Sequence, residues 1–431
     1  MNRVSTGPAV VLVGIGVAAL VVAPGVLTPG LLNAAIQMLI AALLATAYNV
    51  VCGQAGMLSF GHAAYFGVGA FATVHAMNAV GGTGLLPTPL LPLAGAGAGL
   101  LVGIGAGWFA TKRSGTYFAM ITLAIAELLH SLAPHLKGWF GGEAGVSAMR
   151  QPWMGLSFGS TVQVYYLTLA WVLVSLAALF FFTRTPLGRL ALGLRENSHR
   201  LAFLGYDVHR LGVMVFAISA MFGGVAGGLQ VVSNEAVNYV VFDATLSAAV
   251  VLNSYIGGVK VFLGPALGAS LMTFFGYAVS DLTVSWLLYQ GIVFLLVMLY
   301  VPDGLAGLFA LWTRLRQRFG LAGVLPLTLA AALASVLVAG GIAFTVELLQ
   351  RIFSQDYRAL AAANPAATWP AVSLAGREWL PAAVSTWLVP ASLLAGGALL
   401  AWAVRLAHGR LQNASAEPAL AMTPHTARSL A

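Results

Sequence analysis

Charged residues are scarce in this chain. Lys, Arg, Asp and Glu make up 7% of its 431 residues, and none of them occurs from Val4 to Thr111. Soluble domains carry roughly 25% charged residues. An uncharged run of this length holds about four membrane crossings at about 20 residues each. The composition therefore predicts an all-α polytopic membrane protein.

Cysteine and several catalytic motifs are also lacking. The single cysteine, Cys52, excludes an internal disulfide and offers no metal cluster. The sequence contains no GxxxxGK[ST] phosphate-binding loop and no HExxH zinc motif. We therefore expect no metal site and no ATPase site in this chain. If it drives transport, the energy comes from a partner or from an ion gradient.

Basic residues predict the topology. Fifteen of the twenty Lys and Arg fall on one side of the membrane if the apolar segments alternate, and by the positive-inside rule that side is cytoplasmic. Both termini are then cytoplasmic, and the net charge of +8 reflects topology rather than nucleic-acid binding. The first apolar run has no convincing signal-peptide cleavage site, so we expect it to be retained as a span.

About ten spans are predicted for a core and about two for an extension. The core is predicted at residues 1–310, a basic cytoplasmic linker at 311–320, the extension at 321–405 and a disordered cytoplasmic tail at 406–431. The predicted spans are residues 9–22, 31–51, 63–77, 90–110, 117–133, 164–182, 211–232, 245–257, 264–281, 284–300, 321–344 and 382–404.

A polar, glycine-rich stretch separates the second and third predicted spans. We call residues 54–62 the break segment. Irregular backbone at membrane depth is tolerated where protein or a water-filled cavity covers it. Asn49, Gln54, Ser59 and His62 could line a path for a small zwitterionic or amide solute. They could equally satisfy the backbone groups that the glycines free, and His62 is more readily explained by such a structural role than as a ligand.

Ionisable groups inside predicted spans are few. Glu127 lies inside one, and either takes part in function or reaches the nearby membrane surface. His62 and His75 are the other candidates for a proton relay. This set is small for a gradient-driven carrier, because such carriers commonly bury several acids or histidines.

A dense basic segment, residues 184–210, separates two spans. It contains five arginines, and its charge places it in water between the spans. We call it the central loop. Residues 189–203 could form a short amphipathic helix on which a soluble partner acts, and Gly205 marks a turn. The simpler alternative is a solvated basic loop that only satisfies the topology rule.

Six stretches resemble the LivM-type permeases, inner-membrane subunits of bacterial ABC importers for branched-chain amino acids. The clearest is YNVVCGQAGMLSFGHAAYFGVGAF at residues 48–71. The others, in chain order, are GTYFAMITLAIAELL at 115–129, FGGEAGVSA at 140–148, TPLGRLALGLRENSHRLAFLGYDVHRLGVMVFAISAMFGGVAGGL at 185–229, IGGVKVFLGPALGA at 256–269 and VPDGLAGL at 301–308.

The resemblance implies a permease core of about ten spans, of the kind found in ribose-type and branched-chain amino acid importers. It implies a homologous, LivH-like permease partner, a periplasmic solute-binding protein and two cytoplasmic ABC ATPases that bind ATP and Mg, with no nucleic acid as partner. It places the break segment beside the solute path and the ATPase-coupling residues in the central loop. These coupling candidates are Arg189, Arg195, Glu196, Asn197, Arg200 and Gly205.

Two departures from the family pattern affect these expectations. Ser198 and His199 make the central loop more basic than usual, and the chain continues far beyond Leu308. Relatives with similar signatures serve urea, short amides or aromatic acids, so the solute is open. The alternatives are a gradient-driven carrier or channel for a small polar solute, or a structural membrane scaffold.

Overall fold

A computed structural model of the chain describes residues 6–80, 86–301, 303–363, 369–374 and 376–414. The described residues form two compact units. Unit 1 comprises Met1–Ala278 and Ile292–Leu308, and unit 2 comprises Val279–Gly291 and Phe309–Ala431. Nearly all regular structure in both units is helical.

Besides one π-helix and three short 3-10 helices, twelve α-helices precede residue 302 in the described chain. They are α1 (Thr6–Val22), α2 (Pro29–Asn49), α3 (His62–Val80), α4 (Pro92–Ala110), α5 (Thr116–Leu132), α6 (Lys137–Phe140), α7 (Thr161–Arg184), α8 (Pro186–Phe203), α9 (Val208–Asn234), α10 (Ala244–Gly257), α11 (Gly264–Ser280) and α12 (Trp286–Tyr300).

The remaining regular elements are three helices and two small antiparallel strand pairs. The helices are α13 (Gly304–Phe353), α14 (Gln355–Ala363) and α15 (Val384–Ala414). Strand β1 (Val146–Ser147) pairs with β2 (Ala236–Val237), and β3 (Val372–Leu374) pairs with β4 (Arg377–Trp379).

Helix α9 is the centre of unit 1, where it packs against α2, α3 and α4. Glycines bring these backbones together, because small residues let neighbouring helices approach closely. A Cβ atom on Gly224 would collide with the Gly95 carbonyl of α4, and one on Gly227 would collide with the Phe66 carbonyl of α3. The three helices therefore touch along a seam of backbone, which we call the glycine seam.

Six described helical stretches are long and apolar enough to cross a membrane. A bent pair, Trp286–Tyr300 with Gly304–Gln317, would make a seventh, and three apolar helices are shorter. The all-α polytopic class is thus confirmed, whereas the count of ten plus two stays a prediction. The six stretches are Pro29–Gln54, Thr88–Ala110, Thr161–Arg184, Val208–Asn234, Val324–Phe353 and Val384–Ala407.

Unit 2 is more regular than its sequence suggests. Residues 311–319 of the expected linker are helical within α13, and the helix is interrupted at Gly320, where φ is +69°. Arginines do not stop a helix, whereas glycine readily adopts this left-handed conformation. The segment between the last two predicted spans contains α14 and the β3–β4 pair.

The end of the described chain also differs from the expectation. Helix α15 continues to Ala414, past residue 406 where we expected disorder to begin, and residues 415–431 lie outside the described residues. Within unit 2, Leu348, Ile352 and Val372 form a small core with Phe344 and Tyr357.

Candidate functional site

The break segment has the irregular backbone that its glycines predict. Helix α2 passes into a π-helix at Val50–Gln54, residues 55–61 are non-helical, and α3 begins at His62. Gly56 has a φ of +70°, a conformation that side chains rarely adopt. The chain is therefore interrupted between two apolar helices, at a point where backbone groups need partners from elsewhere.

Hydroxyl groups satisfy the amides around the break segment. The Phe60 amide donates to Thr122 Oγ1 at 3.1 Å, and the Ala63 amide donates to Ser247 Oγ at 2.9 Å. The Gly61 amide donates to Ser59 Oγ at 3.3 Å. Thr122 belongs to α5 and Ser247 to α10, so two other helices and the segment itself hold this backbone. The sequence analysis missed both helical partners.

His62 is the centre of a buried hydrogen-bond chain. Ser219 Oγ lies 2.9 Å from His62 Nε2 and donates its own proton to the Ala47 carbonyl at 2.6 Å. Ser59 Oγ lies 3.1 Å from His62 Nδ1. Because Ser219 donates its proton to Ala47, it can only accept from His62, so a neutral imidazole carries its proton on Nε2. His62 Nδ1 then accepts a hydrogen bond from Ser59.

This hydrogen-bond network corrects one detail of the interpretation made from the sequence. The His62 ring reaches the backbone through two serines, not by bonding to freed backbone groups itself. Its side chain is 1% exposed and packs edge-on against the rings of Tyr48, Tyr65 and Phe216. With both nitrogens bonded, His62 fixes the start of α3 against α9.

Three of the four predicted lining residues are buried, and the acid is exposed. Ser59 bonds to His62, Asn49 is buried next to Gly53, and Gln54 is half-buried. Glu127 is exposed on α5, on the side away from the buried Thr122. Near the break segment, the buried polar atoms that lack a protein partner are Tyr48 Oη, Asn49 Oδ1 and Tyr65 Oη.

The central loop folds as predicted into an amphipathic helix, α8, which is longer than residues 189–203. Thr185 caps its start by accepting from the Gly188 amide at 3.1 Å, with Pro186 in the first turn. Ala191 and Leu201 are buried against the core of unit 1. The apolar side of α8 thus packs against the core of unit 1.

The outer side of α8 carries exposed polar groups and a kink. Arg189, Glu196 and Arg200 are exposed. The kink is at the exposed Asn197, whose φ is −163° and whose Oδ1 caps the next turn by accepting from the Arg200 amide at 2.9 Å. Gly205 forms the predicted turn, with a φ of +88°.

Arg195 is also exposed, but its guanidinium bonds to another part of unit 1. Its Nη1 donates to the Gly53 carbonyl oxygen at 2.6 Å. The sequence analysis proposed a contact of this residue with a soluble partner. That contact stays a prediction. The structure adds a bond from the Arg195 guanidinium to the π-helix that leads into the break segment, across 142 positions of sequence.

Loops at the β1–β2 end of unit 1 are held by charge and hydrogen bonds. Arg150 Nε lies 3.1 Å from Glu235 Oε1, and its Nη1 donates to the Val232 carbonyl at 3.1 Å. Asp243 caps α10 by accepting from the Thr245 amide at 2.7 Å, and this hydrogen bond lowers the pKa of the carboxyl group. Within the described part of the chain, no group of three or more His, Cys, Asp and Glu could hold a metal ion.

A polytopic helical chain with a hydroxyl-lined break and a charged helix seated between two spans belongs to the class of membrane transport subunits. A family profile described as "Branched-chain amino acid transport system / permease component" matches residues 30–302. The chain belongs to this family, and its resemblance to LivM-type permeases is confirmed.

The curated relatives agree with this assignment. The chain is 28% identical over 307 residues to the high-affinity branched-chain amino acid transport system permease protein LivM of Escherichia coli (strain K12), covering 65% of this chain and 71% of that protein. It is 24% identical over 288 residues to BraD of Pseudomonas aeruginosa, covering 62% of this chain and 91% of that protein. No solved structure matches the chain.

Proposed function

We propose that this chain is the membrane-spanning permease subunit of an ATP-driven ABC importer for branched-chain or related amino acids, amides or urea. It sits as a multi-pass protein in the bacterial inner membrane with both termini in the cytoplasm. A periplasmic binding protein delivers the solute, a homologous LivH-like permease subunit completes the membrane part, and two ABC ATPases bind ATP and Mg. This chain contributes no catalysis.

The observation that carries the proposal is the construction of α8. Its apolar side is buried on the core of unit 1, and its charged side is exposed. A carrier driven by a gradient does not need such a helix, whereas a subunit driven by a soluble ATPase does. As the ATPases bind and hydrolyse ATP, a displacement of α8 shifts the population of the permease between its outward-open and inward-open states.

The break segment supports a polar solute path in this mechanism. The unpartnered atoms of Tyr48, Asn49 and Tyr65 lie beside it, and buried polar atoms without partners are rare in proteins. Uncharged donors and acceptors suit a zwitterionic amino acid or an amide. We infer that these atoms meet water or solute when the path opens.

Uptake in cells that lack ATP but retain a proton gradient tests the proposal. We expect accumulation of radiolabelled leucine to stop when ATP is depleted and to recover when ATP is restored, with the membrane potential monitored throughout. Uptake that persists without ATP, in cells containing this chain alone, would favour a gradient-driven carrier instead.

A further inference from the structure

A single side chain of α8 reaches the π-helix at Val50–Gln54. Arg195 Nη1 donates to the Gly53 carbonyl at 2.6 Å. The helix ends here, and the amides of Gly56 and Met57 bond to the carbonyls of Cys52 and Val51. The guanidinium therefore supplies a donor to a buried carbonyl at the point where helical bonding stops, and such charge-assisted bonds are stronger than neutral ones.

The two backbones also touch at this point. A Cβ atom on Gly56 would lie 2.9 Å from Arg195 Cγ and 3.1 Å from its Cα, so the glycine lies directly against α8. On the other side, a Cβ atom on Gly53 would lie 2.5 Å from the Val259 carbonyl. Neither glycine has room for a Cβ atom on the side where these contacts lie. Movement of α8 toward the bundle would therefore press on Gly56 and, through it, on Gly53.

The other arginines of the central loop are arranged differently. All five arginines are exposed, so exposure does not distinguish Arg195. Arg210 pairs with Asp207 at 3.0 Å, and the Arg184 guanidinium lies 4.3 Å from the centre of the Phe180 ring, whereas Arg195 bonds to the Gly53 carbonyl. Arg195 is also two residues before the kink at Asn197, where the first straight part of α8 ends. The contact thus joins the end of that straight part to the break segment.

We propose that Arg195 is a positioning residue that joins α8 to the break segment, so that a displacement of α8 is passed to the solute path through the guanidinium–Gly53 bond. This inference rests on the proposed function and names the contact that transmits the motion of α8. The Arg195–Gly53 hydrogen bond persists during transport, so α8 and the break segment move together.

Three variants test this contact in the complete importer reconstituted in proteoliposomes. They are Arg195→Gln, Arg195→Lys and the control Arg113→Gln. Arg113 is an exposed arginine outside α8. ATP hydrolysis and uptake of radiolabelled leucine are measured on the same preparation. We expect Arg195→Gln to retain hydrolysis and to lower leucine imported per ATP by about tenfold, as for the loss of one charge-assisted hydrogen bond in the state that needs it. Arg195→Lys should recover part of the ratio, and Arg113→Gln should match the wild type.

A disulfide gives an independent test that does not depend on the arginine. In a Cys52→Ser background, Arg195→Cys is combined with Gly56→Cys. A Cβ atom on Gly56 would lie 3.1 Å from the Cβ of Arg195, so the two backbones must separate by less than about 1 Å to reach the spacing of about 3.8 Å in a disulfide. Gly56→Cys with Arg195 intact is the control for strain at Gly56, whose φ is +70°. We expect the reduced pair to be uncoupled and the oxidised pair to regain most of the imported leucine per ATP, because the covalent bond replaces the contact.

Each contrary result has a distinct meaning. An unchanged ratio in Arg195→Gln, a parallel loss of hydrolysis and uptake, failure of the two thiols to cross-link, or continued uncoupling after oxidation would each overturn the role of this contact. In these cases the wild-type importer still shows ATP-dependent uptake. If the wild type itself shows none, the proposed function fails instead.

Discussion

At the scale of single residues, serine and threonine side chains determine the geometry of the break segment. Most hydroxyls in apolar helices bond to a carbonyl of their own helix, as Thr46 and Ser254 do here. Ser219 and Ser247 bond across helices instead. Sequence alone does not separate the two groups, because both are small polar residues in apolar runs. The glycines and polar residues of the break segment could be predicted, whereas their partners could not.

Removing the hydroxyl of Ser219 should destabilise the protein. In Ser219→Ala, the buried Nε2 proton of His62 and the Ala47 carbonyl both lose a partner, which costs about 1–3 kcal/mol. The measurement is the thermal unfolding midpoint in lipid nanodiscs. The control is Ser335→Ala, since Ser335 is exposed and bonds to the Ala331 carbonyl of its own helix. Equal shifts for the two variants would contradict the assigned network.

Charge reversal at Glu196 should uncouple the importer. The side chain is exposed on the outer side of α8, so Glu196→Lys should leave membrane insertion unchanged and lower uptake per ATP. The expected loss is about tenfold or more, as for a charge reversed in a docking contact. Asp356→Lys is the matched control, because Asp356 is exposed on α14, outside the family match. Normal coupling in Glu196→Lys would remove this residue from the mechanism.

At the scale of helices, residue spacing in the sequence predicted where the elements lie better than it predicted which residues they contact. The interruption of α2 and α3, the amphipathic α8 and the turn at Gly205 follow from glycine, proline and charge patterns. The bond from Arg195 to Gly53 could not be predicted, because nothing local marks a contact across 142 residues. The number of membrane crossings remains a prediction, because three apolar helices are too short to be assigned by length and composition.

Two glycines of α4 should respond oppositely to alanine. Gly99 faces the Ala220 carbonyl of α9 with no room for a Cβ atom, whereas Gly105 has no atom within 4 Å of the added carbon. We expect Gly99→Ala to lower the free energy of unfolding by about 1–3 kcal/mol. Gly105→Ala should be neutral or stabilise α4 by up to about 1 kcal/mol. Equilibrium unfolding in mixed micelles measures both, and similar losses would argue against the observed helix packing.

At the scale of the whole molecule, the family match covers only part of the chain that the structure describes. Residues 30–302 belong to the permease family, while most of unit 2 follows that match. The basic linker and the disordered tail expected there were inferred from charge, and helices extend into both. Charge patterns therefore did not predict where these helices end, and the side of the membrane on which each loop lies stays a prediction.

Thiol labelling should place the central loop in the cytoplasm. The lone Cys52 is buried, so a cysteine introduced at an exposed site is the reactive one. Both Arg200 and Glu143 are exposed. We expect a membrane-impermeant maleimide to modify Glu143→Cys in intact spheroplasts and Arg200→Cys only in inverted vesicles. Labelling of Arg200→Cys in intact spheroplasts would reverse the topology and defeat the importer mechanism.

The glycine seam has a consequence for the way in which this protein can change shape. Backbones that meet without intervening side chains, as Gly224 does with Gly95 and Gly227 with Phe66, have no soft layer to deform. Sliding by a fraction of a turn would drive carbonyl oxygens into α-carbons. Helices α3, α4 and α9 must therefore turn as a single rigid block, and the flexing that transport demands is confined to the edges of that block.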